Sequence, residues 1–381
     1  MWLLIILTIT FLIGYGLLIE NYRRWYLTVN PFLVPENFSP SLTFSVVISA
    51  RNEEVNILKC LHSILNQNYP IHLFEIIIID DHSTDNTPGI ISELQQTHTN
   101  VYLYNLKDLL HGRPLNSYKK KAIELAIKEA KKDWVLATDA DCIVPVNWMN
   151  TLAAFIEHEQ ALFVAAPVKF INTGSFISIF QCLDFMSLQG ITAASVHKRF
   201  HSMCNGANLA YNKKMFLEVG GFAGIDHIAS GDDMLLMHKI FLKHPESVKF
   251  LLSPDVVIET QPMPDWKNFF NQRIRWASKA DKYDDKRILV VLVFVYLFNL
   301  SFLLLPFAYY WYPQVWLAWL ILFAGKTFFE MRFLFPVASF YKERKLLWWF
   351  PIMQPFHILY TIIAGWLGKF GSYKWKGRQV K

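Results

Sequence analysis

Two pairs of carboxylates and one basic-aromatic triplet carry the chemistry that this chain could do. Asp139-Ala140-Asp141 closes the apolar run Val135-Leu136-Ala137-Thr138, and Asp232-Asp233 follows Gly231 just before Met234-Leu235-Leu236. Strand periodicity is two, so Asp139 and Asp141 are expected to point the same way and serve one site. Two hard oxygen donors there suit Mg²⁺ or Mn²⁺ held together with substrate phosphates. Adjacent carboxylates such as Asp232 and Asp233 repel, which raises one pKa and suits a general base. The same pair also reads as a helix N-cap, and the two roles are compatible. Gln272, Arg275 and Trp276 stand at i, i+3 and i+4 and share a helix face. A five-donor guanidinium matches a diphosphate and a broad indole matches a sugar, although Arg and Trp also anchor helices at a membrane interface.

Strands and helices must bring these groups together. Apolar runs at 44–50, 74–79 and 101–104, the run ending at Asp139, and a further run at 162–167 read as buried strands. The stretches between the first four have helical periodicity, clearest at 119–131, where Ala122, Ile123, Ala126, Ile127 and Ala130 share a face. Strand and helix in alternation predict right-handed crossovers and a mainly parallel α/β sheet. The polar stretches Arg51-Asn52-Glu53-Glu54 and Asp80-Asp81-His82-Ser83-Thr84-Asp85 follow strands, where an open α/β sheet binds nucleotides. Cys204-Asn205-Gly206-Ala207-Asn208 reads most simply as a tight turn, and 265–279 as an amphipathic helix.

Composition points beyond a soluble domain. Of 381 residues 53% are apolar and 16% aromatic, high for a wholly soluble protein. Residues 2–19 carry no charge and lack a basic start or a cleavage site, so they are expected to be an uncleaved anchor followed by cytoplasmic Arg23 and Arg24. Segments 288–309, 315–335 and 346–367 are apolar enough to span, the last interrupted by Pro351 and Pro355. If each crosses once, the basic loop 342–345 is cytoplasmic and the basic tail falls outside, against the positive-inside bias. The net charge of +6 does not point to nucleic acid, and four scattered cysteines without Cys-x-x-Cys spacing favour a reducing compartment over a disulfide framework.

In this order and spacing, Ser49-Ala50-Arg51-Asn52-Glu53-Glu54, Asp80-Asp81, Asp139-x-Asp141, Gly206-Ala207-Asn208, Gly231-Asp232-Asp233 and Gln272-x-x-Arg275-Trp276 resemble the membrane-bound family 2 glycosyltransferases. The resemblance implies a GT-A fold, a Rossmann-like catalytic sheet, over about residues 44 to 280. The divisions it suggests are an anchor at 1–20, a linker at 21–43, a catalytic domain at 44–260, an interface helix at 261–287, a membrane region at 288–368 and a basic tail at 369–381. It further implies that Ala50, Asn52, Glu53 and Asp81 hold the nucleoside, and that Asp141 binds the metal with Asp139 beside it. Asp233 would be the base, with Asp232 where the family often has Glu. Gln272, Arg275 and Trp276 would meet the diphosphate and the acceptor, with Gly206 and Asn208 on the acceptor side. Lys119 or Lys120 matches a Gly-Lys motif near the nucleotide, with Tyr118 in the place of the glycine. The implied reaction is inverting, metal-dependent transfer from a nucleotide-sugar, commonly UDP-linked, to a lipid-linked or membrane-embedded glycan acceptor at the cytoplasmic membrane face. Other envelope-glycan enzymes are the partners compatible with that placement. A processive polysaccharide synthase and an inactive membrane scaffold are the competing readings.

Overall fold

The computed structural model describes residues 2–110, 117–226, 228, 231–279, 285–371, 373–375 and 378–380. The end of the interface segment (280–284) and positions 372, 376–377 and 381 of the basic tail lie outside the described residues. Nine strands build the catalytic part: β1 (Phe44–Ala50), β2 (Phe74–Asp80), β3 (Val101–Asn105), β4 (Trp134–Asp139), β5 (Phe163–Ala165), β6 (Val168–Phe170), β7 (Leu209–Asn212), β8 (Val248–Phe250) and β9 (Ile258–Thr260). Seven of them form one sheet in the order β3-β2-β1-β4-β7-β5-β8, and β6 pairs with β9 in a second. Every residue of β2 is buried, as expected for a strand covered on both faces by helices.

β1 pairs in parallel with both β2 and β4, while β7 runs antiparallel to β4 and β5. The chain therefore winds from β1 out through β2 to β3, then returns to place β4 on the other side of β1. That reversal is a topological switch point, and the crevice outside the carboxyl ends of β1 and β4 is where such sheets bind ligands. In register, Ser49 of β1 lies opposite Asp139 of β4.

The catalytic sheet rests on a helical layer. A helix at Phe176–His197, unmarked by any amphipathic stripe because it is buried almost all round, packs beneath the small sheet. The Trp266–Ala277 helix is N-capped by Asp265, whose side chain accepts from Asn268 N. Beyond it come helices at Lys286–Ala308, Val315–Phe340 and Phe350–Phe370. The N-terminal helix runs to Tyr26, past the expected limit of the anchor at residue 20, because Tyr22 and Tyr26 are buried and extend its packed face. The last helix is not interrupted at Pro351, which lies in its first turn, where a missing N–H costs nothing. Among the described residues, Phe176–His197, Lys286–Ala308 and Arg344–Phe370 are long and apolar enough to cross a membrane.

Candidate active site

Asp139 ends β4, and Ala140-Asp141 is a turn in which Cys142 N donates to Asp139 O at 3.2 Å. The two carboxylates line one cavity, but the turn brings them there rather than the pleat of a continuing strand. Asp232 and Asp233 line the same cavity of about 1140 Å³, together with Glu53, Lys119, Gly206, Gln272, Arg275 and Trp276. Lys119 joins the two acidic pairs: its Nζ lies 2.7 Å from Asp139 Oδ1 and 3.3 Å from Asp232 Oδ2. Burial opposes its charge, but Asp139 and Asp232 outweigh that and raise the Lys119 pKa. Burial likewise pushes Asp232 up, yet Lys119 and Lys279 hold its carboxyl below the ordinary value, so repulsion from Asp233 does not decide its titration.

Asp233 is the N-cap of the helix Met234–Lys243, its Oδ1 accepting from Met234 N at 2.7 Å. Its Oδ2 accepts from Gly206 N at 3.1 Å, so the tight turn at Gly206 fixes the carboxylate from the opposite side. Gly231 sits at φ +83°, a left-handed conformation that glycine adopts without strain and that starts this helix at the cavity wall. Lys120, pointing away from Lys119, donates to Ile225 O at 2.7 Å and Ile228 O at 2.8 Å and ties down the segment leading to Gly231. Burial pushes its pKa down to about 8.

Four expected site residues do not line the cavity. Asn208 is fully buried, accepting from Trp148 Nε1 and donating to Pro167 O and Val256 O, so it is a strut with its polar atoms consumed by the protein. Ala50 O accepts from Asp81 N at 2.7 Å, and Arg51 Nη1 donates to Asp81 O, which couples the loops after β1 and β2. Asn52, at φ +51°, clasps the same loops through Thr84 N at 2.8 Å and Ser83 Oγ at 3.0 Å. The side chain of Asp81 is buried, with Oδ1 at 3.0 Å from His82 Nδ1.

Gln272 and Trp276 are held by Arg273, a residue that the motif leaves unspecified. The Arg273 guanidinium carbon stands 4.1 Å from the centre of the Trp276 ring and 4.7 Å from that of Phe269, and Nη1 donates to Gln272 Oε1. Asp184, from the Phe176–His197 helix, accepts from Arg273 Nη2 at 2.6 Å and also from the Tyr360 hydroxyl. A single acidic residue inside an apolar run, Cys182-Leu183-Asp184-Phe185, was the sequence signal for this pair.

The donor set suits a shared cation. Asp139 and Asp141 offer two hard carboxylates on the cavity wall, and a lysine ammonium already rests against one of them. No group of three or more His, Cys, Asp or Glu able to hold a metal occurs among the described residues, so any ion would draw its remaining ligands from substrate phosphate and water.

Sheet order, switch-point crevice and facing carboxylates define a GT-A glycosyltransferase. Residues 134–367 match glycosyl transferase family group 2 and residues 45–220 match glycosyl transferase family 2. The chain belongs to this family and is a family 2 glycosyltransferase. It is 26% identical over 252 residues to the probable glycosyltransferase YdaM of Bacillus subtilis, covering 64% of this chain and 56% of that one. It is 25% identical over 246 residues to a poly-beta-1,6-N-acetyl-D-glucosamine synthase of Staphylococcus epidermidis, covering 61% and 53% respectively. The chain thus spans about half the length of these relatives. In structure it resembles the mannosyltransferase PcManGT of Pyrobaculum calidifontis, solved with GDP-Man and Mn²⁺, at a TM-score of 0.60 and 17% identity, covering 96% of this chain and 97% of that one.

Proposed function

We propose that this chain moves a sugar from a nucleotide-sugar to a lipid-linked acceptor by direct, inverting displacement. The observation that carries the reading is that Asp139, Asp141, Asp232 and Asp233 line one cavity, with Lys119 2.7 Å from Asp139 and 3.3 Å from Asp232 between the two pairs. Asp141, with Asp139, would hold a divalent cation, which when bound supplies Lewis-acid stabilisation of the diphosphate leaving group. Glu53 and the joined loops after β1 and β2, including Ala50, Asn52 and Asp81, would seat the nucleoside. Asp233, held by two backbone N–H groups, takes the proton of the acceptor hydroxyl as it attacks. Arg275 adds positive charge where the leaving diphosphate develops negative charge, and Trp276 offers a face for a sugar ring. A UDP-linked donor is the form that the family resemblance implies.

The cavity supports a lipid-linked acceptor because it continues past these groups to apolar side chains of the Lys286–Ala308 helix, among them Leu289, Leu292 and Val293. That helix also exposes Val290, Leu304 and Phe307, with Tyr310 and Trp311 at its far end. Helix pairing supports a membrane topology. Leu12 meets Gly325, Tyr15 bonds Glu330 and Glu20 pairs with Arg332, so the first helix and Val315–Phe340 run parallel. The last helix instead lies along Trp266–Ala277, with Trp266 against Phe356, Phe269 against Tyr360 and Ala277 against Gly368. If the first helix, Lys286–Ala308 and Val315–Phe340 cross and the last helix stays against the catalytic domain, Arg23, Arg24, 342–345 and Lys369 share one face, the arrangement that the positive-inside bias favours for the cytoplasm.

Membranes carrying the chain should transfer label from one member of a nucleotide-sugar panel into a lipid extract in the presence of Mn²⁺, and Asp141→Ala should abolish it. The synthase relative favours a second reading, polymer formation; a ladder of products in place of one added sugar would establish it. Absence of transfer and of donor hydrolysis across the panel would refute both.

A further inference from the structure

Lys279 is a buried cation with no partner among the described residues. It follows Arg275 by four residues, is 8% exposed, and lines the cavity beside Asp232 and Asp233. Among the described residues no carboxylate oxygen lies within ion-pair distance of its Nζ and no hydrogen bond engages it, in contrast to Lys119 and Lys120. Its stem is pinned: Cδ stands 3.7 Å from where a Cβ on Gly231 would be. Burial pushes its pKa down, opposed most by Asp233, and Arg275 adds to the downward push. An ammonium removed from water with no counter-ion in contact is costly, and an incoming anion removes that cost.

Position decides which anion. Lys279 Cδ lies beside Gly231, the residue that leads directly into Asp232 and Asp233, so Lys279 stands at the base side of the cavity. On its other side the backbone of the last helix closes in: a Cβ on Gly368 would be 3.0 Å from Ser278 N. From there the cavity wall is apolar, formed by Ile288, Leu289 and Leu292 together with Ala364. Lys279 therefore stands where a polar, acid-lined chamber meets an apolar corridor. An amphiphile with a phosphate between a sugar and a hydrocarbon chain has its charge at that junction.

We propose that Lys279 seats the phosphate that joins sugar to hydrocarbon in a lipid-linked acceptor, leaving a hydroxyl of that sugar as the attacking group. The proposal rests on the lipid-linked reading above and deepens it, by naming the acceptor's headgroup chemistry and the side chain that recognises it. A phosphate could also come from the donor's diphosphate, and the two sources separate by experiment. The full-length protein in nanodiscs is titrated with undecaprenyl phosphate, with the uncharged undecaprenol, and separately with UDP and GDP in Mn²⁺.

The expected result is that Lys279→Gln weakens undecaprenyl phosphate binding tenfold or more, leaves undecaprenol binding unchanged and leaves nucleotide affinity within twofold, while Lys279→Arg retains lipid-phosphate binding. Loss of nucleotide affinity with lipid binding intact would assign Lys279 to the donor and overturn the proposal, as would no change in either. Should Lys279→Gln fail to fold, the wild-type protein decides: undecaprenyl phosphate, and not undecaprenol, should protect Lys279 from acylation as read by mass spectrometry, and equal protection by both would refute it. Because these readouts are binding and protection, they fail independently of the transfer assay. A chain that glycosylates lipid with Lys279→Gln at unchanged acceptor KM would leave the function standing and the phosphate seat refuted.

Discussion

Breaking the Asp184–Arg273 pair tests whether the membrane-side helices position the catalytic motif. Both side chains are 3% exposed and meet at 2.6 Å. Arg273 Nε has no hydrogen-bond partner among the described residues, so the guanidinium charge depends on Asp184 and on the faces of Phe269 and Trp276. Removing one member of such a pair leaves an uncompensated buried charge, so Asp184→Ala is expected to cost about 3–5 kcal/mol. Removing both relieves that penalty, and Asp184→Ala with Arg273→Met should recover most of it, a coupling of 2 kcal/mol or more in a double-mutant cycle. Activity should not recover in step. Trp276 loses a desolvated cation over its ring, an interaction of up to about 2 kcal/mol, and Gln272 loses its bond to Arg273. Turnover of the double variant is therefore expected to stay roughly 3- to 30-fold below wild type if that energy is spent on the transition state. Urea midpoints in detergent read the first quantity and initial transfer rates the second. A double variant as unstable as Asp184→Ala, or one that is stable with full turnover, would refute the positioning argument.

Other perturbations follow from the same geometry. Asp233→Asn keeps an oxygen for Gly206 N or Met234 N but cannot accept the acceptor's proton, so turnover should fall by ~10²–10⁴ with nucleotide affinity retained, compared by initial rates and nucleotide titration. Lys120, with a folded pKa of about 8, binds fewer protons than the unfolded chain between pH 8 and its ordinary value of 10.5, so its contribution to stability rises with pH across that window. The wild type should gain on Lys120→Met between pH 8 and pH 10 in urea titrations, and a constant difference would count against the buried lysine. Gly368→Ala drives a methyl to 2.7 Å from the Ala277 Cβ; overpacking of this kind costs ~1–3 kcal/mol. The thermal midpoint should drop and transfer should drop with it, since the displaced turn carries Ser278 and Lys279.

The catalytic sheet was legible because its strands are continuous apolar runs, and a chain that alternates such runs with helical periodicity has few topologies open to it. Both acidic pairs line the crevice, Asp139 and Asp141 at the end of β4 and Asp232 and Asp233 at the start of a helix, whereas Asp81 after β2 is buried against His82 instead. What failed was finer. Asp139 and Asp141 converge through a turn, and a residue pattern does not distinguish a strand's last pleat from the turn that follows it. Asn208 reads as part of a tight turn and only the family resemblance puts it on the acceptor side, whereas Trp148 Nε1, Pro167 O and Val256 O consume it, and those partners lie 41 to 60 residues away.

The same limit explains the membrane-side charges. Asp184, Lys326 and Glu330, each inside an apolar run, read singly as flaws in a helix. In the folded chain Lys326 Nζ lies 2.7 Å from Glu330 Oε1 and 2.9 Å from Gln354 Oε1, Tyr15 donates to Glu330, and Asp184 meets Arg273. Each charge is neutralised by a partner on the same helix or on one brought alongside by folding, so their burial records which helices pack together rather than how apolar any one of them is. Hydropathy reports how apolar the last segment is, while its side-chain partners report which helices it packs against. Gln354 and Tyr360 place it against both Glu330 and Asp184, so the last helix packs on Val315–Phe340 and Phe176–His197 as well as beside Trp266–Ala277.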